Sequence, residues 1–177
     1  MNYKLNIKPS KEQLFYIKAW LSQELEETGE GFGHNFNIIK DYFDRNQLIL
    51  LLYESQSIGF TTWEIIDEIV LKIDIACIQS KFRFKGAGKF MIQETFEYFK
   101  SKGVVVTELF CQPRSSENFW KSIGFIDMPK IRFNQHELFL YYPLITPYSK
   151  SDSSENDMIE LWNCEPHIAS TKDAKWI

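Results

Sequence analysis

The chain has 177 residues, of which 44% are hydrophobic and 25% charged, a composition that favours one compact globular domain over a disordered segment. Its formal net charge of −4 argues against nucleic acid as a general partner. No apolar run is long enough to cross a bilayer and the first residues are too polar for a signal peptide, so we expect a cytoplasmic protein with no membrane partner. The cysteines, Cys77, Cys111 and Cys164, form no Cys-x-x-Cys pair, which predicts reduced thiols and no metal site.

The first predicted elements are a strand and a long amphipathic helix. Residues 3–8 alternate between apolar and polar side chains and predict the strand. Ser10 and Gln13 have the spacing of a capping box, which predicts that the helix begins there. One helical face carries Leu14, Ile17, Leu21 and Leu25. A cluster of glutamates near the helix end would suit an amine-bearing substrate, although a solvated surface is the commoner meaning: Glu24, Glu26, Glu27 and Glu30.

A second short helix and three strands come next. Glycines interrupt the first helical pattern at Gly29, Gly31 and Gly33. Apolar residues at helical spacing predict the short helix: Phe36, Ile39 and Phe43. The predicted strands cover residues 47–54, 57–66 and 73–78, with turns at residues 55–57 and 67–68. Because these connections are short, neighbouring strands should form an antiparallel meander.

The junction between the strand at residues 73–78 and the next helix has the chemistry of an anion site. A basic loop at residues 81–85 is followed by Gly86-Ala87-Gly88-Lys89, where we expect the helix to begin. Free amides at a helix N-terminus favour a phosphate, and glycines allow it to approach the backbone closely. The spacing fits neither a P-loop nor a dinucleotide fingerprint, and a tight turn without a ligand is an equal alternative. The nearby cations are Arg83, Lys85 and Lys89.

The remaining elements are a fifth strand, a short helix and a final hairpin. Residues 104–110 are apolar and β-branched, and the intervening helix predicts a strand parallel to the previous one. Ser115 is expected to cap the short helix and Gly124 to end it, before a hairpin at residues 125–133 and 137–144. We expect residues 1–144 to form one domain. Residues 145–177, a serine-rich linker followed by aromatic residues, are expected to form an extension docked on that domain or on a partner subunit.

Two segments resemble motifs of one family. Arg83-x-x-Gly86-x-Gly88 resembles the Arg/Gln-x-x-Gly-x-Gly/Ala signature of the GNAT superfamily of acyl-CoA N-acyltransferases. Residues 115–125 resemble a later helix of that family, which ends in an aromatic pair, a short spacer and Gly-Phe. The resemblance covers roughly residues 1–144. It implies an α/β (α+β mixed) fold, with a mixed, mostly antiparallel sheet of about seven strands and flanking helices.

The resemblance also implies a function. It implies an acyltransferase, and more narrowly an N-acetyltransferase that moves an acetyl group from acetyl-CoA to a primary amine by direct attack in a ternary complex. Acetyl-CoA would be a cosubstrate without any metal, the acceptor a small-molecule or peptide amine, and a homodimer one option for the assembly. Two alternatives stay open. One is a coenzyme A-binding or interaction module on the same scaffold with weak or no catalysis, and the other is an unrelated nucleotide-phosphate binder.

The family pattern assigns a set of cofactor-binding residues. In the family, the amides of the signature loop cradle the coenzyme A pyrophosphate, and the end of the preceding strand contacts the pantetheine. By position, the Ile78 amide would contact the thioester carbonyl. The residues matched in this way are Cys77, Ile78, Gln79, Arg83, Phe84, Lys85, Gly86, Ala87, Gly88, Lys89 and Ser115.

The catalytic groups follow from the same resemblance, with two departures. Lys72 stands near the position of a base glutamate in some members, so Asp74, on the same strand face, is the expected base. An ion pair of Asp74 with Lys72 or Arg83 is an equal alternative, and Glu64 is a weaker base. Trp120 stands where many members carry a tyrosine acid, and an indole N–H is no acid near neutral pH. Ser116 is then the expected catalytic hydroxyl, unless the thiolate leaves unassisted.

Overall fold

The computed structural model describes residues 2–128 and 138–145. Within those residues, seven strands lie in the sheet order β1-β2-β3-β4-β5-β7-β6. The strands are β1 (Tyr3–Asn6), β2 (Leu48–Tyr53), β3 (Gln56–Ile66), β4 (Val70–Ile78), β5 (Val106–Phe110), β6 (Ile126–Asp127) and β7 (Phe139–Pro143). The helices are α1 (Lys11–Thr28), α2 (Phe36–Asp44), α3 (Ala87–Lys100) and α4 (Glu117–Ser122). The predicted α/β fold with a mixed, mostly antiparallel sheet of about seven strands is therefore confirmed.

The described residues divide into two compact units. The first contains the residues up to Glu64 together with Ile73–Glu97. Its core forms where α1 and α2 bury apolar side chains against β2, β3 and β4. The predicted face of α1 is confirmed at Leu14, Ile17 and Leu21, each of which is buried. The buried members of this core are Leu14, Ile17, Trp20, Leu21, Ile39, Leu48, Leu50, Phe60, Ile75 and Cys77.

The ends of α1 are determined by local sequence. The Ser10 amide donates to Gln13 Oε1 at 2.9 Å and the Gln13 amide donates to Ser10 Oγ at 3.3 Å, so the predicted capping box is present. Gln13 Oε1 also accepts the side-chain amide of Asn6 at 2.8 Å, which joins the end of β1 to the helix. At the other end, Gly29 has φ +71° and its amide donates to Leu25 O at 2.8 Å.

The meander of the first unit brings the end of β4 close to β3. In the β2–β3 pair, Leu51 lies opposite Gly59 and Leu52 opposite Ser57, so Ile58 is the extra residue of a β-bulge. The Ile58 carbonyl accepts the Gln79 amide at 2.8 Å. A Cβ on Gly59 would lie 2.9 Å from Cys77 O and 2.4 Å from Ile78 Cδ1, so this position has no room for a side chain. Glycine here lets the last residues of β4 lie directly against β3.

The first hairpin turn lies one residue earlier than predicted. Tyr53 pairs with Gln56, and the turn between them is Glu54–Ser55 rather than residues 55–57. Both turn residues have positive φ, +49° and +69°, as in the tight hairpins that match strand twist. With the turn so short, Gln56 and Ser57 are free to pair and belong to β3. The second predicted turn is confirmed at Asp67–Glu68, where both φ angles are again positive.

The second unit contains Ile65–Lys72 and the described residues from Tyr98 onward. Its core includes Ile69, Val70, Val105, Val106, Met128 and Tyr141. β5 begins at Val106, two residues later than predicted, although the Val105 amide donates to Ile69 O at 2.9 Å. β7 pairs antiparallel with both β5 and β6. The rest of the predicted hairpin, residues 129–137, and nearly all of the extension, residues 146–177, lie outside the described residues, so the domain boundary stays a prediction.

Candidate functional site

The loop between β4 and α3 leaves backbone amides at a helix N-terminus. After a short 3-10 turn at Ser80–Phe82, the chain enters α3 at Ala87. The first hydrogen bond of the helix runs from the Phe90 amide to Gly86 O at 3.0 Å. The amides of residues 87–89 precede that bond, so α3 itself supplies no acceptor for them. The predicted helix start is confirmed, and the positive end of the helix dipole lies at this loop.

Gly86 has a conformational role in the loop. Its φ is +81°, and a Cβ built there would meet no atom within 4 Å. The position therefore has room for a side chain, and it is the left-handed backbone that favours glycine. The lysines around it are exposed: Lys81, Lys85 and Lys89. Lys85 Nζ donates to Lys81 O at 2.8 Å, which holds this ammonium beside the loop backbone.

Arg83, the first residue of the signature, turns towards α1. Its Nε donates to Ile78 O at 2.7 Å and its Nη2 donates to Glu24 Oε2 at 2.9 Å. The Glu24 carboxylate also accepts the Ser80 amide through Oε1 at 2.5 Å. The Glu24 side chain is only 9% exposed, so this ion pair is partly sequestered from water. Arg83 thus ties the loop to the end of β4 and to α1, and its charge is largely balanced by Glu24.

The role of Glu24 was not predicted from the sequence. The sequence groups it with Glu26, Glu27 and Glu30, which are exposed, whereas Glu24 is buried. A signal was present in the spacing, because Glu24 follows Ile17 by seven residues and Leu21 by three and so lies on the apolar face of α1. A carboxylate on that face requires a partner of opposite charge or donor groups.

Removing the charge of Glu24 is expected to destabilise the fold. Glu24→Gln should lower the free energy of unfolding by about 1–3 kcal/mol, because the amide cannot balance the guanidinium of Arg83. The Arg83 side chain is 42% exposed, so water compensates in part and the loss stays below that of a fully buried pair. Urea denaturation measures it, with Glu26→Gln on the same helix as the control. Equal stability of the two variants would contradict a structural role for the pair.

Cys77 and Gln79 belong to the predicted cofactor-binding strand end, and both side chains are buried. Burial raises the pKa of the Cys77 thiol to about 12, and the neighbouring Arg83 only partly opposes this. The thiol is therefore protonated and unreactive at neutral pH. Gln79 Oε1 is buried without a hydrogen-bond partner among the described residues. In this conformation neither side chain is exposed to a coenzyme, and the Gln79 amide already donates to Ile58 O.

Replacing Cys77 with alanine is expected to flatten the loss of stability at alkaline pH. The native thiol holds its proton to about pH 12, whereas the thiol of the unfolded chain ionises near its ordinary pKa of 9.0. Above that pH the unfolded chain binds fewer protons, so the folded state loses stability by up to about 1.4 kcal/mol per pH unit. Urea denaturation of both proteins between about pH 8 and pH 10.5 measures the difference in slope. Identical slopes would contradict a buried, protonated thiol.

Asp74, the expected base, is exposed on the outward face of β4. Burial alternates along the strand from Lys72 to Ile78, so Lys72 and Asp74 share one face, as predicted. The pKa of the nearby Tyr42 phenol is raised by its burial and then by the Asp74 carboxylate, with a smaller contribution from Glu64. The Arg45 guanidinium lies 4.4 Å from the centroid of the Tyr42 ring. Arg83, one alternative ion-pair partner of Asp74, pairs with Glu24.

The second family-like segment forms an aromatic cluster in the other unit. Trp120 is buried, and its ring centroid lies 5.1 Å from that of Phe119 and 5.2 Å from that of Phe125. Trp120 is therefore a core residue of this unit. Gly124 has φ +106° and follows α4, as predicted. A Cβ there would lie 2.7 Å from the ring of Tyr142.

Ser115 and Ser116 occupy a short 3-10 turn before α4. The prediction that Ser115 caps α4 is wrong, because the helix begins at Glu117 and the capping position belongs to Ser116. Ser116 makes no capping bond either, since its Oγ donates to Pro113 O at 2.8 Å. The same Oγ lies 3.3 Å from Cys111 Sγ. Ser115 is exposed, and its predicted contact with a coenzyme stays a prediction.

Two features are absent from the described part of the chain. Residues 2–128 and 138–145 contain no group of three or more His, Cys, Asp or Glu side chains placed to hold a metal ion. In the same residues, no helix has the length and apolar character needed to span a bilayer.

Comparison with known proteins gives a likeness of fold. No protein-family model and no curated protein matches the chain. The solved structure of PaiA N-acetyltransferase from Thermoplasma acidophilum, in complex with coenzyme A, matches 81% of this chain and 99% of its own, with a TM-score of 0.63 and 17% identity. Ard1 from Thermoplasma volcanium matches 82% of this chain and 100% of its own, with a TM-score of 0.64 and 11% identity.

A third solved structure is N-acetylglutamate synthase from Neisseria gonorrhoeae, complexed with coenzyme A and N-acetyl-glutamate. It matches 82% of this chain and 36% of its own, with a TM-score of 0.62 and 10% identity. At such identities the likeness shows the fold alone. Solved structures of GNAT-family acetyltransferases from Bacillus cereus and Staphylococcus aureus have the same likeness, so this chain has the GNAT fold.

Proposed function

We propose that this chain is an N-acetyltransferase that moves an acetyl group from acetyl-CoA to a primary amine, on a small molecule or a peptide, by direct attack in a ternary complex. The observation that carries the proposal is the loop before α3, where amides at a helix N-terminus lie among exposed lysines. A diphosphate binds well to such a set of donors and charges. Solved structures with this fold that contain coenzyme A support the choice of ligand.

Binding would use the backbone of the first unit. The amides of Ala87, Gly88 and Lys89 are the proposed donors to the pyrophosphate, with Lys81 and Lys85 adding charge around them. The ion pair of Glu24 with Arg83 keeps the loop attached to α1 without using those amides. The Ile78 amide is the proposed donor to the thioester carbonyl, one residue before the buried Gln79.

Acyl transfer places one main demand on the side chains. The amine nitrogen forms a bond to the carbonyl carbon, the carbon–sulfur bond breaks, and the nitrogen must lose a proton. Asp74 is the proposed acceptor of that proton, directly or through a water, because its carboxylate is exposed on β4. Ser116 is proposed to hydrogen-bond the leaving thiolate after its hydroxyl rotates away from Pro113 O, and the thiolate then takes its proton from solvent.

Thiol release with a panel of amines tests the proposal. The protein is incubated with acetyl-CoA and primary amines of different charge and size, and free coenzyme A is measured with a thiol reagent. Thiol release that depends on both the protein and an amine is the expected result. Coenzyme A binding without thiol release across the panel would overturn the enzymatic assignment. Absence of binding would also overturn the assignment of coenzyme A as the ligand.

A coenzyme A-binding or interaction module without efficient catalysis is the second candidate. Trp120 favours it, because the aromatic residue at this position is buried against Phe119 and Phe125 and carries no acidic hydroxyl. Trp120→Tyr separates the two candidates. A rise in turnover in that variant favours a weakened enzyme, whereas a variant as inactive as its parent favours the module.

A further inference from the structure

Phe84 is an aromatic side chain that the fold does not use. Its side chain is fully exposed, whereas Phe15, the next most exposed large hydrophobic residue among those described, is 62% exposed. Its φ is +61°, in the left-handed region that an L-residue with a bulky side chain rarely adopts. A glycine would fit this backbone without strain. The ring therefore contributes no packing, while its Cβ makes the loop conformation less favourable.

The other rings around the loop are packed. Phe82 lies 5.7 Å from Tyr53 between ring centroids, and Phe90 lies 5.5 Å from Tyr3. The Lys81 and Lys85 ammonium groups are 5.2 Å and 6.0 Å from the centroid of the Phe82 ring. Phe84 therefore lies, in sequence, between Lys81 and Lys85, whose ammonium groups are near the Phe82 ring. An exposed ring in a loop that also carries exposed lysines suits a ligand that has a flat base and phosphates.

We propose that the ring of Phe84 is the stacking surface for the adenine base of coenzyme A. This inference rests on the proposed function. If the pyrophosphate binds the amides of residues 87–89, the adenine lies one ribose away from it. Phe84 precedes Ala87 by three residues, a span of at most about 10 Å, so its ring is within reach of that base. The pantetheine arm has no aromatic group, so stacking concerns the adenosine end alone.

The test compares variants of Phe84 against whole and partial ligands. Phe84→Gly should fold at least as well as the parent, because glycine accepts the positive φ, yet bind coenzyme A about tenfold more weakly. Its affinity for 4′-phosphopantetheine, which lacks adenosine, should stay within about twofold of the parent. Phe84→Trp should retain coenzyme A binding. Phe15→Ala, at another exposed phenylalanine, is the control that should change neither affinity.

Calorimetry with coenzyme A, 4′-phosphopantetheine and adenosine 3′,5′-bisphosphate distinguishes the outcomes. Binding of the bisphosphate to the parent and its loss in Phe84→Gly support stacking. Equal losses of affinity for coenzyme A and 4′-phosphopantetheine in Phe84→Gly would mean that Phe84 acts on the shape of the loop. Unchanged coenzyme A affinity would mean that Phe84 is not part of the site. Either result overturns this inference and leaves the proposed function standing. A parent that binds no coenzyme A overturns the proposed function and the inference together.

Discussion

Replacing Asp74 with asparagine is expected to lower turnover about 100-fold while leaving the affinity for coenzyme A within about twofold. Asparagine keeps the size of the side chain but cannot accept a proton from the attacking amine. Asp74 is exposed on β4 and makes no ion pair among the described residues, so its loss should leave the fold intact. Steady-state kinetics over a range of pH measures the effect. If Asp74 is the base, the acidic limb of the pH–rate profile should disappear in the variant.

Glu64→Gln is the matched control for Asp74. Glu64 is the weaker candidate base, and both carboxylates act on the pKa of Tyr42. If Asp74 is the base, Glu64→Gln should retain most of the turnover and its acidic limb. A large loss of turnover in Glu64→Gln, together with an unaltered pH–rate profile in Asp74→Asn, would mean that Glu64 rather than Asp74 is the base. An unaltered pH–rate profile in both variants would show that neither carboxylate is the base, so that solvent would deprotonate the amine.

Gly86→Asp is expected to weaken coenzyme A binding at least tenfold. A carboxylate here would stand beside the amides of residues 87–89 and repel the pyrophosphate. Even with solvent screening, this repulsion is on the order of 1–3 kcal/mol for unit charges a few ångströms apart. The space around a Gly86 Cβ is open, so the penalty should be electrostatic rather than steric. Calorimetric titration with coenzyme A measures it, and Gly88→Asp should act in the same direction.

Two controls separate charge from backbone strain. Gly86→Asn has nearly the same shape, and asparagine tolerates positive φ, so its affinity should fall by no more than about threefold. Gly103→Asp places the same carboxylate at another glycine with open space and positive φ, +89°, beyond the other end of α3. Coenzyme A affinity in that variant should be unchanged. Similar coenzyme A affinities for the aspartate and asparagine variants of Gly86 would contradict binding of the pyrophosphate at this loop.

Features that depend on neighbouring residues were predictable from the sequence. The capping box of α1, the glycine stop at Gly29, the Asp67–Glu68 turn and the start of α3 follow from short-range rules, and the structure confirms each. That β2, β3 and β4 are neighbours in the sheet followed from their short connections. The Glu54–Ser55 turn and the start of β5 differ by one or two residues, because pairing between strands decides where a strand begins.

Features that depend on contacts distant in sequence were not predictable in the same way. Glu24 and Arg83 are 59 residues apart, and their hydrogen bond exists only after α1 packs beside the loop. The sequence marked Arg83 as a cofactor-binding residue because it begins the signature, and the carboxylate partner it suggested for Arg83 was Asp74, whereas the structure pairs Arg83 with Glu24. The burial of Trp120 depends likewise on Phe125 and on the strand beyond it. Which atoms face a ligand is therefore decided by tertiary packing.

The two tight turns leave this protein with capacity for stabilisation. At residues 54–55 and 67–68, four ordinary L-residues have φ between +48° and +69°. Each such position costs roughly 1–2 kcal/mol relative to a residue that accepts the conformation freely. Asn-Gly at either turn would relieve part of this cost at positions outside the candidate cofactor loop. A background of that kind would tolerate destabilising substitutions in the loop, so that their effects on kinetics could be measured in a folded protein.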